Sequence, residues 1–553
     1  MAGRQDVNMD DSLTDYAPFG SRTTTLAVHN EEEAAMIPTV GGNKPSGRYI
    51  LVAGRADEKD GMRQPITGGV LKPGITYRVA GWISLGAGAA RGTSHPVRVN
   101  LGVTMDDDEN ESLQVECGAV CAEAAGWTEI MGAFRLRTEP RSAAVYVHGA
   151  TAGVDVKVMD LRVFQTDREA RFRQLKDKTD KARKRDVVLK LGAATGAAAS
   201  VRVVQMDNSF PFGTCINTTV IQNPAFLDFF TGHFDWAVFE NELKWYHTEV
   251  QQGQLNYADA DTLLALCDRL GKRVRGHCVF WSVDGDVQQW VKNLDKDQLK
   301  SAVQSRLEGL VSRYAGKFPH YDVNNEMLHG QFFRDRLGDE DVPAFMFKEV
   351  ARLDPEPALF VNDFNVECGN DPNATPDKYA EQVTWLQSCG AVVHGIGLQG
   401  HVSKPVGEVI CAALDRLATT GVPIWFTELD VCEPDVSLRA KDLEVVLREA
   451  YAHHAVEGVV LWGFMQGTMW RQDAWLVDAD GTVNEAGQMF LNLQREWKTD
   501  ARGNVDGDGN FRFRGFHGRY FVEVTTATGC RMLKTFTVEK GDTTPLLVDL
   551  GDA

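Results

Sequence analysis

Positive charge is scarce in this 553-residue chain: 58 Lys and Arg face 77 Asp and Glu, a net charge of -19. A surface of that sign repels phosphate, so nucleic acid is excluded as a partner, while a neutral polymer is not repelled. No apolar run approaches the roughly 20 residues needed to cross a bilayer, which argues against a membrane. The ten cysteines are scattered, with no C-x-x-C pair and no Cys/His cluster at zinc spacing. That leaves no metal-ligand set and no cofactor to expect. Cys117 and Cys121, the closest pair, read as free thiols, which suits a reducing compartment. The opening MAGRQDVNMDDSLTDYAPFG lacks a basic stretch followed by an apolar one, so no secretory leader is expected there. Its polar, acidic makeup predicts a flexible tail over 1–15. Sequons at Asn110, Asn217 and Asn373 carry no weight without export.

The chain is too long for one core, which predicts two or three domains. Residues 16–166 alternate in short runs such as RYILVAG, TYRVAGWISL, VRVNLGVTM and AAVYVHGA, with Gly and Asp between them. This period of two predicts an antiparallel β-sandwich. Residues 167–200 are highly charged and are expected to form a solvated linking helix, in which the cluster KARKR is an ordinary solvated face. From 201 to 500, apolar strands alternate with amphipathic helical stretches. The eight strand candidates are VRVVQ, DWAVFE, KRVRGHCVFW, HYDVNNE, ALFVNDFN, GIGLQGH, PIWFTELD and GVVLWGF. Eight βα units over that length predict an α/β class (β/α)8 TIM barrel. Residues 501–553 read as a small C-terminal β appendage.

Two carboxylates stand at strand ends: Glu326 in HYDVNNEML and Glu428 in PIWFTELDV. Paired glutamates at two strand mouths suit glycosidic bond cleavage, where one donates a proton and the other stays charged. Either one alone could merely cap a helix or pair with a lysine. Around them the strand ends supply amides, imidazoles, indoles and further charges: Glu240, Asn241, Lys244, His277, Trp281, Asn325, Gln399, His401, Asp430, Trp462 and Trp470. Sugars offer hydroxyls to amides and charges, and C–H faces to aromatic rings.

The stretches DWAVFENELKWY, RGHCVFW, HYDVNNEMLHG, VNDFN, GIGLQGHV and PIWFTELDV, in that order, resemble glycoside hydrolase family 10 endo-1,4-β-xylanases of the plant type. The resemblance implies a retaining double displacement on xylan, with Glu326 as acid/base and Glu428 as nucleophile. It implies that His401 bonds Glu428, that Asp430 orients His401, and that Asn325 holds a sugar 2-hydroxyl. Glu240, Asn241, Lys244, His277, Trp281, Gln399, Trp462 and Trp470 would line the glycone subsites. A negative neighbour is expected to raise the pKa of Glu326. The chain departs from the family at Ser282 (often His), Phe364 (usually Tyr) and Gln466 (Asp in many bacterial members), all outside the catalytic pair.

The front sandwich resembles a family 22 carbohydrate-binding module through RYILVAGRADEKDG, ITYRVAGWISL, GWTEIMGAFRL and AVYVHGATAGVDVKV. Its beginning looks degenerate, as if a strand were lost. Arg55, Trp82 and Tyr146 are its candidates for sugar contact, with core packing favoured over sugar contact for Trp82. Its role is open between binding xylan, which would raise local substrate concentration by tethering, and shielding the barrel. The expected partner is xylan or arabinoxylan, acted on by a monomer. The expected location is cytoplasmic accumulation with later release to the cell wall, with cleavage near 167–200. Within enzymes the rival is a β-1,4-glucanase; outside them it is a non-catalytic xylan-binding protein.

Overall fold

The computed structural model describes residues 16–30, 45–105, 112–191, 199–541 and 544–551. The expected tail over 1–15 and the sequon at Asn110 lie outside the described residues. Strand alternation in the front third produces two five-stranded antiparallel sheets packed face to face. Val52, Val79, Ile83, Val97, Val99, Leu101, Val145, Val147, Val156 and Val158 fill the space between them. The first strands are present after all: Ala17–Phe19 pairs with Gly61–Ile66, and Thr25–Asn30 pairs with Arg48–Ala53.

The barrel strands are β1 (Phe212–Ile216), β2 (Trp236–Phe239), β3 (Arg273–Gly276), β4 (His320–Asn325), β5 (Ala358–Asp363), β6 (Gly395–Leu398), β7 (Ile424–Val431) and β8 (Val456–Leu461). Every neighbouring pair is parallel, and β8 returns to β1, so the sheet closes. Short strands Phe280–Trp281 and His401–Val402 extend β4 and β7 at the mouth. The interior is packed by Trp236, Val238, Phe360, Trp425 and Val460. Glycine makes room for such rings. A Cβ on Gly458 would lie 2.3 Å from the Trp425 ring. Helices close the outside, their ends set by local chemistry: Asp295 and Gln298 form a capping box on Lys296–Arg313, and Gly271 turns left-handed after Ala258–Leu270. Among the described residues no helix is long and apolar enough to cross a membrane.

Three expectations need correction. VRVVQ is not a barrel strand. It lies in Ser200–Asn208, which pairs antiparallel with Asp500–Asn504 and Gly518–Thr525; β1 is FGTCI instead. The C-terminal appendage is accordingly larger than expected. Lys184–Lys190 pairs with Asn510–Phe516 and Leu546–Asp549, giving a second sandwich of a three- and a four-stranded sheet. The barrel is inserted between its strands, so the barrel's two ends are tied together by one small core around Val187, Val203, Tyr520 and Val522. The segment 167–200 is not a solvated linker either. Helix Arg168–Arg183 packs on helix Val436–Ala452. Arg183, in KARKR, is buried and donates to the carbonyls of Tyr451, His453 and Val456 at 2.6–2.7 Å. The expected cleavage falls partly on 192–198, which lie outside the described residues.

Candidate active site

Ring closure sets the ends of β4, β5, β6 and β7 side by side, and the chemistry gathers there. Asn362, at the end of β5, is the hub. Its backbone carbonyl accepts from the Glu326 amide (2.9 Å). Its side-chain Nδ2 donates to Asn325 Oδ1 (2.9 Å) and Glu428 Oε1 (2.8 Å). The Thr427 hydroxyl donates to Asn362 Oδ1 (2.5 Å), which fixes the way the amide faces. A Cβ on Gly397 would come within 2.3 Å of that oxygen, so β6 must carry glycine beside it. Gln399 ties the pair a second time: its carbonyl accepts from the Glu428 amide (2.9 Å), and its Nε2 donates to Glu326 Oε1 (2.8 Å).

Glu326 is 8% exposed and takes a left-handed backbone (φ 61°) that non-glycine residues rarely adopt. Its carboxyl also accepts from Trp281 Nε1 (2.6 Å) and Asn325 Nδ2 (3.1 Å). Burial pushes it up to about 7. The Gln399 and Trp281 hydrogen bonds oppose this, while the negative charges of Asp363 and Glu428 add to it. Burial, rather than the neighbouring charge expected from the sequence, is therefore the main cause.

Glu428 is 5% exposed, yet sits on the other side of the ordinary carboxylate range. Burial again disfavours its charge, but His277, His401 and Lys244 outweigh it and hold the carboxyl at about 2. His401 Nε2 lies 3.5 Å from Glu428 Oε2, and its Nδ1 is 2.8 Å from Asp430 Oδ2. Burial alone would discharge this imidazole; the carboxylates of Asp430 and Glu428 raise it to about 9. Asp430 also accepts from Arg471 Nη1 (2.6 Å) and Trp470 Nε1 (3.1 Å). Below the mouth, the buried Arg275–Asp322 pair holds His277 Nδ1 at 2.9 Å, 3.9 Å from Glu428 at the same nitrogen.

The remaining candidates ring this pair. Lys244 is buried, with its ammonium 4.6 Å from the Trp281 ring, 5.9 Å from that of Trp462, and 3.2 Å from Asn241 Oδ1. Trp462 is buried against His277, whereas Trp470 is 57% exposed and lies edge-on to His401. Glu240 accepts from Asn217 Nδ2 (2.6 Å). Asn325 is buried with each end of its amide engaged, so its second Nδ2 hydrogen is what remains for a ligand. Trp475 stands apart, packed on Arg439.

Sequence reading missed Asn362, although VNDFN contains it, and Tyr246, whose hydroxyl donates to Asn241 (2.9 Å). It also missed a clamp of His329 between Asp363 (2.6 Å) and Asp371 (3.0 Å), with Phe364 stacked on the imidazole at 3.7 Å. That stack gives Phe364 a role that needs no hydroxyl. Ser282 is buried and donates to Asn324 (2.7 Å). In the sandwich, Arg55 is corrected from a sugar-contact candidate to a structural residue. It is 3% exposed, and its guanidinium donates to the carbonyls of Asp60, Ala150 and Val154. Trp82 is 1% exposed, in line with the core packing favoured for it from the sequence rather than with sugar contact. Tyr146 is half-buried, edge-on to Phe19. Among the described residues, no group of three or more His, Cys, Asp or Glu could hold a metal ion.

A closed (β/α)8 barrel with two buried mouth carboxyls of opposite proton affinity has the outline of a glycoside hydrolase. Comparison agrees: residues 201–492 match the model of glycosyl hydrolase family 10, and residues 24–153 match a carbohydrate binding domain. The chain belongs to glycosyl hydrolase family 10. It is 48% identical to Endo-1,4-beta-xylanase 3 of Arabidopsis thaliana, over 93% of this chain and 68% of that protein. It is 46% identical to Endo-1,4-beta-xylanase 1 of the same plant, over 98% of this chain and 57% of that protein. It is also 40% identical to the Anti-sigma-I factor RsgI6 of Acetivibrio thermocellus, over 67% of this chain and 49% of that protein. The chain thus spans between about half and two thirds of the length of these relatives.

Proposed function

We propose that the chain hydrolyses internal β-1,4-xylosidic bonds of xylan and arabinoxylan with retention of configuration. The observation that carries this reading is the pair of joined carboxyls, Glu326 raised to about 7 and Glu428 lowered to about 2. Near neutral pH that pair offers a proton and a charged nucleophile at once. Glu428 attacks the anomeric carbon while Glu326 protonates the departing oxygen. The ester that forms cancels the charge of Glu428, so Glu326 loses one of the groups that raise it. As a carboxylate it then takes a proton from water, which attacks the anomeric carbon, breaks its bond to the Glu428 oxygen and frees Glu428 as a carboxylate. Xylan as substrate is supported by the family and by the names of the two plant relatives.

The test is reducing-sugar release by the full chain from wheat arabinoxylan and from carboxymethylcellulose. Release from arabinoxylan, little from carboxymethylcellulose, and none after Glu428→Ala is the expected result. The reverse preference would make the chain a glucanase. Binding without release would make it a sugar-binding protein.

A further inference from the structure

Among the contacts between the sandwich and the barrel is a buried ionic cluster. Arg135, at the end of strand Thr128–Arg135, donates Nη1 to Glu433 Oε2 (3.1 Å) and Asp442 Oδ2 (2.9 Å), and Nη2 to Asp442 Oδ1 (2.6 Å). Its Nε and Nη2 also donate to Thr76 in the same sandwich. Arg168, on the connecting helix, donates to the same Asp442 oxygen (2.5 Å). Two arginines thus meet two carboxylates, the side chains of Arg135 and Asp442 being essentially inaccessible.

Glu433 is not a remote anchor. It lies in the loop that follows β7, five residues beyond Glu428. Its amide donates to the Asp473 carbonyl (2.9 Å), and Arg439 Nη1 donates to the carbonyls of both Glu433 and Asp473 (2.9 Å each). Asp473 closes the loop that carries Trp470 and Arg471, which in turn hold Asp430 against His401. The sandwich also walls the neighbouring space. A cavity of about 280 Å³ is lined by Glu116, Cys117 and Ala133 from the sandwich, and by His401, Lys404 and Arg471 from the barrel.

We infer that Arg135 is a positioning residue for the nucleophile side of the site, and that the sandwich is part of the catalytic frame rather than a tethered accessory. The inference rests on the proposed glycosidase reading. Arg135 fixes the loops after β7 and β8 through Glu433. Those loops fix Asp430 and His401, and a misplacement of about 1 Å in such a frame costs on the order of a hundredfold in rate.

The test uses the full chain and an aryl β-xylobioside, with active sites counted by a 2-deoxy-2-fluoro-xylobioside that esterifies the nucleophile. Arg135→Met, Arg135→Lys and Glu433→Gln are compared with the parent. Glu433→Gln leaves Arg135 paired with Asp442 and keeps the question open to measurement if Arg135→Met does not fold. The expected result is a drop of about tenfold or more in kcat per titrated site, with a changed pH profile and partial rescue in Arg135→Lys. Unchanged kcat per titrated site and an unchanged pH profile, whatever the loss in Tm, would reduce Arg135 to a structural tie and overturn the inference. A parent that is neither labelled nor active would instead sink the glycosidase reading.

Discussion

Around Glu326, at the end of β4, the groups that donate to the carboxyl are neutral: one indole and two amides. Around Glu428, in β7, the neutral amide of Asn362 is joined by the cations His401 and Lys244. Glu428 faces His277, His401 and Lys244, and each is held in place from behind by Asp322, Asp430 or Asn241. Both carboxyls are buried, so burial cannot separate them. Separation comes from what balances the burial. Neutral donors only partly offset it and leave a proton on Glu326 near pH 7. Cations more than offset it and keep Glu428 charged. One residue, Asn362, touches both, so a single barrel mouth carries two opposite acidities joined through one side chain and its backbone.

If the halves differ in this way, removing Glu326 should hurt only substrates that need a proton. Glu326→Ala is expected to lower turnover of xylan by ~10²–10⁴-fold, the usual worth of general acid catalysis. An aryl xylobioside whose phenolate leaves unaided should form the glycosyl-enzyme at nearly the parent rate, giving a burst followed by slow hydrolysis. Stopped-flow release of the phenol measures this. Equal loss on both substrates would remove Glu326 from the acid's role.

The same contrast should appear in stability, with opposite signs. Glu326 is raised, so the folded chain binds the extra proton between about pH 4.5 and 7, and stability falls as pH rises through that window. Glu428 is lowered, so its contribution is complete above about pH 4.5 and is lost as pH falls toward 2. Each shift is worth a few kcal/mol at most, by the ~1.4 kcal/mol per unit of linkage. Glu326→Gln should therefore gain in Tm relative to the parent between pH 5 and 8. The gain is trimmed because an amide cannot accept from both Trp281 and Gln399. Glu428→Gln should be less stable than the parent at pH 6, since it leaves the cations His401 and Lys244 without the carboxylate that balances them. Scanning calorimetry at pH 5, 6 and 8 decides; the same sign for both variants would undo the contrast.

Much of both halves is legible in the sequence. Glu326, Glu428, His401, Asp430 and Gln399 stand at strand ends within recognisable motifs. Their meeting follows from barrel closure, which eight βα units already imply. Asn362 was within a quoted motif and still escaped. An amide becomes a hub only when β5 lies beside β4 and a glycine on β6 leaves room for it, and both facts are tertiary. The VRVVQ error has a sharper cause. Residues 200–208 alternate between exposed and buried, the signature of a sheet with one face packed. FGTCI is buried throughout, as a barrel strand must be. Arg55 was misplaced because an arginine that serves the fold looks no different in sequence from one that serves a ligand.

The smallest effect belongs to the outermost group on the cationic side. Trp470 is largely exposed, donates to Asp430 and lies edge-on to His401. Phenylalanine in its place keeps a ring but loses the donor. A hydrogen bond to a charged group is worth about 1.5–3 kcal/mol when shielded, and less at such exposure, so Trp470→Phe should cost about fivefold in kcat/KM. Because Asp430 keeps Arg471, the charge that supports His401 survives and the pH profile should hold its shape. Arg471→Ala removes the stronger partner and should both slow the enzyme further and move the profile. Kinetics on xylotriose across pH 4–9 compare the two. A Trp470→Phe variant that shifts the profile as far as Arg471→Ala would mean that the indole, not the guanidinium, sets the electrostatics of Asp430.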